Sequence, residues 1–150
     1  VGRNLMDQED TAGIQKSATS IVQLIEHEAS RGIAYENIVL AGFSQGCAMV
    51  LQTGLRFPHK LAGIIALSGY LPLAASLPIE KHIANQNTPI FMAHGEYDPV
   101  VALDRAQASY ALLENMGYSV EWNEYPMEHS VNHEELKDIS RFLQTVLPKA

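Results

Sequence analysis

Three short stretches of this chain are apolar almost without interruption: "NIVLAGF" at 37–43, "LAGIIALSG" at 61–69 and "TPIFMAHG" at 88–95. A strand with one wet face alternates polar and apolar residues. An unbroken run needs cover on both faces, which is the pattern of a parallel sheet. Parallel neighbours cannot be joined by a hairpin, so each run demands a crossover, usually a helix. The intervening segments supply helices. Residues 11–31 carry Ile14, Ala18, Ile21 and Ile25 at three- and four-residue spacing, with Asp10 or Thr11 to cap the start and Gly32 to end it. A helix from 45 to 57 is stopped by Pro58, and one from 103 to 116 puts Ala106, Tyr110 and Leu113 on one side before Gly117. "SVEWNEY" at 119–125 alternates and reads as an edge strand. The last helix, 132–146, is expected to bury Leu136, Ile139, Leu143 and Val146. The expectation is an α/β fold, a mainly parallel sheet with helices on both faces, forming one domain over residues 1–150.

Composition narrows the function classes. With 47% hydrophobic and 18% charged residues the chain is an ordinary globular one. Its net charge of −7, with no run of Lys or Arg, argues against nucleic acid and anionic membranes as partners. Cys47 is the single cysteine, which excludes an internal disulfide and disfavours a thiolate metal cluster. No stretch offers the roughly 18 consecutive apolar residues of a membrane span, and no signal-peptide pattern opens the chain, so the expected location is cytoplasmic. The sequence opens at Val1, without Met, in a polar stretch.

Ligands of such sheets bind at the carboxyl ends of the strands. Ser44 follows the first apolar run, in Gly42-Phe43-Ser44-Gln45-Gly46; Asp98 follows the third, in "HGEYDPV"; His129 follows the fourth strand, in "YPMEHSV". Serine is a poor nucleophile at neutral pH; it needs a neighbouring base, and the base needs an acid to fix its tautomer. The pattern G-x-S-x-G alone arises in about one chain in twenty of this length. At a strand-to-helix junction, followed by an acid and then a histidine at later strand ends, it matches the chain order of α/β hydrolases. The two glycines are expected to be required because a side chain at 42 or 46 would collide with the flanking strand or helix.

With "SGYLPL" (68–73), "HGEYDPVV" (94–101) and "MEHSV" (127–131), the sequence resembles the carboxylesterase and acyl-protein thioesterase family of α/β hydrolases over nearly its whole length. The resemblance implies Ser44 as nucleophile, Asp98 as acid, His129 as base and the backbone N–H of Gln45 as one oxyanion donor. It also implies an acyl-binding groove bordered by Leu71, Pro72 and Leu73, with a small acyl ester or an acylated protein as substrate. No cofactor or metal is expected, and a homodimer stays open. Cys47 stands where many members have Gly. Members also begin with strands and a His-Gly-rich loop supplying a second oxyanion N–H. No such segment precedes Val1, so four strands of a larger sheet are expected here, with residues 37–43 exposed at an edge.

Other readings stand beside these. Glu96 and Asp104 are rival acids; His94, His133 and His82 are rival histidines, with His94 read as structural and His133 placed on the first turn of the last helix. His129 and His133 are spaced as a helical metal pair, but no HExxH accompanies them. Leu71–Leu73 can equally be core. Two function classes follow: a serine hydrolase of esters or thioesters, or a catalytically silent domain of the same fold.

Overall fold

Four strands, β1 (Val39–Phe43), β2 (Gly63–Leu67), β3 (Ile90–Gly95) and β4 (Val120–Tyr125), lie in the order β1-β2-β3-β4, every neighbouring pair parallel. The computed structural model describes residues 10–148; the polar opening up to residue 9 lies outside the described residues. The helices are α1 (Thr11–Ser30), α2 (Gln45–Arg56), the single turn α3 (Leu77–Glu80), α4 (Leu103–Asn115) and α5 (His133–Val146).

Each strand pairs with its successor, so crossovers of one hand place the linking helices on one face of the sheet. Leu51 and Leu55 of α2 and Leu113 of α4 indeed pack with Leu40, Ile64, Ala66, Ile90 and Met92. The helix after the last strand links no pair and covers the other face. There Phe142 of α5 packs with Ile65, Leu67, Phe91 and Ala93. β2 and β3 are buried at every position, as the unbroken apolar runs require. Each fully buried Leu or Ile contributes about 1.5–3 kcal/mol of transfer free energy before its ordering entropy is set against it.

β4 lies at one edge, as its alternation predicts. β1 lies at the other, and it differs from a strand covered on both faces. Leu40 alone is buried; Ala41 and Phe43 are exposed, because the cluster formed with α5 takes in Val39 and stops there.

Helix boundaries follow local chemistry. The Asp10 side chain accepts from Gly13 N–H at 3.0 Å and caps α1, while Gly32, at φ +96°, closes it in the left-handed conformation that glycine tolerates. α5 is rotated from its expected phase. Glu135 and Phe142 are buried and Leu136 is 53% exposed, with Ile139, Leu143 and Val146 half-buried. The stripe runs 135, 139, 142, 146, and the charge of Glu135 hides it from a hydrophobicity reading. Among the described residues no helix is long and apolar enough to cross a membrane.

Candidate active site

Only Ser44 separates the end of β1 from the start of α2. Reversing the chain across one residue forces it to φ 59° and ψ −117°, a region side chains rarely enter and which persists only where surroundings hold it. Here Ser44 N–H donates to Leu67 O at 2.8 Å and Ser44 O accepts from Cys47 N–H at 3.0 Å. Gly42 is sterically required, since a Cβ there would lie 2.1 Å from Gly46 O. Gly46 is not: a Cβ there meets nothing within 4 Å, contrary to the expectation that both glycines are needed. Its free side faces an open apolar cleft of about 430 Å³ beside β1, lined also by Ile21, Leu24, Ile38, Val39 and Met49.

Asp98 lies in the turn after β3. Its Oδ1 accepts from Val100 N–H at 2.8 Å and Val101 N–H at 2.9 Å, and its Oδ2 lies 2.6 Å from His129 Nδ1. Burial pushes the Asp98 carboxyl up, but the hydrogen bonds from His129 and from the Val101 and Val100 amides outweigh it and hold the group below the usual range. His129, in the loop between β4 and α5, has its Nε2 3.0 Å from Ser44 Oγ. A carboxylate only accepts, so Nδ1 carries the proton and Nε2 is left as the acceptor facing the serine hydroxyl. The Phe43 ring packs on the imidazole at 4.8 Å between centroids.

That loop is seated by a close approach. Gly95 ends β3, and a Cβ on it would lie 2.1 Å from Glu128 O and 2.4 Å from Met127 O. Three residues from three loops thus meet across the carboxyl ends of β1, β3 and β4. Gln45 opens α2, so its N–H has no acceptor within the helix and lies at the positive end of the helix dipole, beside Ser44.

The remaining candidates lie outside the triad. Leu71 and Pro72 are buried and Leu73 is half-buried; Leu71 belongs to the main core, with its N–H donating to Ser109 Oγ at 2.9 Å, and Leu73 packs by Ile14, Ala48 and Met49. Glu96 and Asp104 are exposed, and His133 is exposed at the first residue of α5. His82 caps the short turn Ile83–Asn85, its Nδ1 accepting from Ala84 N–H. Burial raises the Cys47 thiol to about 12, so it is inert at neutral pH. Among the described residues no three His, Cys, Asp or Glu side chains group to hold a metal ion. The two amides that hold Asp98 had a sequence signal that went unread: Asp followed by Pro and two further residues is an Asx-turn pattern.

Comparison with known proteins identifies the family. A profile of the phospholipase/carboxylesterase family matches residues 1–147. The chain is 44% identical over 148 residues to acyl-protein thioesterase 1 of Gibberella zeae, covering 97% of this chain and 63% of that protein. It is 47% identical to acyl-protein thioesterase 1 of Neurospora crassa, covering 97% and 60%. Among solved structures, SOBER1 of Arabidopsis thaliana superposes with a TM-score of 0.89 at 29% identity, over 94% of this chain and 68% of that one. Acyl-protein thioesterase 2 of Zea mays does so at 0.81 and 25%, over 94% and 68%. The chain therefore spans 60–63% of the length of the two curated relatives named here. Within that span the strand order, the Ser44 elbow and the family profile agree: the chain belongs to the phospholipase/carboxylesterase family.

Proposed function

We propose that the protein is a serine hydrolase that cleaves carboxylic esters or thioesters of acyl groups, with Ser44 as nucleophile, His129 as base and Asp98 as the acid that orients it. The observation that carries this reading is the unbroken relay Asp98 Oδ2–His129 Nδ1 at 2.6 Å and His129 Nε2–Ser44 Oγ at 3.0 Å. The acyl-protein thioesterases among its relatives support a thioester on a protein as one substrate. A cytoplasmic setting belongs to the same reading.

His129 takes the Ser44 proton as Oγ attacks the acyl carbonyl, and Asp98 stabilises the resulting imidazolium. The oxyanion is met by the Gln45 N–H at the start of α2. His129 then returns the proton to the departing alcohol or thiol, and deprotonates the water that frees the acid and regenerates Ser44. Leu71, Pro72 and Leu73 border the acyl group in this reading, acting through the wall they form.

The test is labelling by a fluorophosphonate together with hydrolysis of a short acyl ester, in wild type and Ser44→Ala. Expected is labelling and turnover in wild type, with loss of both in a variant whose unfolding midpoint is unchanged. A variant that keeps a substantial part of the wild-type rate overturns the serine mechanism; a folded wild type that neither labels nor turns over supports the catalytically silent alternative.

A further inference from the structure

His94 is 1% exposed, lies on an inner strand and has no role in the relay described above. Its Nε2 lies 2.7 Å from Val101 O and 3.5 Å from Asp98 Oδ2. Both neighbours are acceptors, so Nε2 carries the proton, and Nδ1 is a bare lone pair with no hydrogen-bond partner. The charged groups facing the ring are acidic: Asp98 on its own turn and Glu124, its register partner on β4, which is itself engaged by Gln107 and Trp122.

Asp98 needs more than its own turn to aim it. The amides of Val100 and Val101 fix Oδ1 within the turn, and backbone bonds from Tyr97 N–H to Met127 O and from Asp98 N–H to Gly95 O hold its start, which leaves the far end, at Val101, to be anchored. The hydrogen bond from His94 to Val101 O joins that turn to β3, which is paired on both sides. We infer that His94 is a positioning residue for Asp98: its Nε2–H ties the 98–101 turn to β3 and so keeps Oδ2 directed at His129. The inference rests on the proposed role of Asp98. A histidine suits the task because a flat, buried donor of fixed length spans the strand and the turn.

The experiment compares wild type, His94→Leu, which removes the donor, and His94→Gln, whose amide nitrogen reaches toward the Nε2 position, in the intact protein. Losing this hydrogen bond is expected to lower kcat about tenfold or more while KM changes less than about twofold, with Gln restoring most of the rate. Proton NMR reads the same event without turnover. The low-field resonance of the His129 Nδ1 proton, held in the short bond to Asp98, is expected in wild type and Gln and lost in Leu. Nitrogen-15 shifts are expected to show a proton on Nε2 of wild-type His94, and that measurement decides the matter should the Leu variant not fold. A folded Leu variant with wild-type kcat and an intact resonance, a Gln variant no better than Leu, or an Nδ1–H tautomer at His94 each overturns the inference. A wild type inactive on every ester sinks the proposed function instead, and leaves the NMR measurements to decide the clamp.

Discussion

Glu135 is the residue whose chemistry runs most against its surroundings. It is fully buried on the first turn of α5, and neither carboxyl oxygen has a hydrogen-bond partner. Its N–H donates to the capping Asn132 Oδ1 at 2.8 Å, yet its side chain does not close the reciprocal half of a capping box. Burial, with a smaller push from Asp138, raises its pKa to about 7. The unfolded chain loses that proton in the ordinary carboxylate range, so the folded state holds it over a window from about 4.5 to about 7. Stability from this group is therefore greatest at low pH and declines as pH rises through the window, by up to about 3 kcal/mol at 1.36 kcal/mol per unit. Glu135→Gln removes the titration. Denaturant unfolding at pH 5 and pH 8 should show the variant gaining on wild type by most of that amount; an equal change in both proteins would contradict it. Sequence could not reveal this group. A Glu near a helix start reads as an exposed dipole partner, and only the phase of α5 exposes the error. The candidate triad was legible for the opposite reason. Ser44, Asp98 and His129 each follow a strand, so the strand pattern places them at one end of the sheet, whereas His94 sits inside a strand and reads as packing.

At the scale of elements, the unbroken runs identified β2 and β3, and periodicity found α1, α2, α4 and α5 within a residue or two of their bounds. α3 and the turn Ile83–Asn85 carry no period. The turn is anchored by a polar contact, the buried Asn85, whose side chain accepts from Leu61 N–H and donates to Phe57 O and His59 O. Such tertiary hydrogen bonds leave no local trace. Glycines show the same limit, since Gly42, Gly46 and Gly95 look alike in sequence. Gly95→Ala should force the loop bearing His129 away from β3, destabilising by about 1–3 kcal/mol as an overpacked contact does and lowering ester turnover with it. Gly46→Ala, in open space on a helix, should be neutral or stabilising by up to about 1 kcal/mol. Thermal unfolding of the two variants tests the contrast; equal midpoints would refute the steric assignment.

For the molecule as a whole, the site is divided between two parts of the sheet. The proposed nucleophile is tied to β2 through Ser44 N–H and Leu67 O. The acid and base are tied to the far side, where Glu96 N–H meets Tyr125 O and Tyr97 N–H meets Met127 O. β2 bridges the two, and β1 is joined to the sheet on one side only among the described residues. A catalytic rate is far more sensitive to a displacement of an ångström than is the bulk of the core. Mild urea should therefore silence the protein before it melts it: the proposed esterase activity should fade at a concentration where far-UV circular dichroism is still native. Coincident loss of activity and ellipticity would mean that the two parts of the site separate only when the whole chain unfolds. If the two separate, the protein carries a built-in early fuse, in which function is interrupted reversibly while most of the chain stays folded and ready to resume.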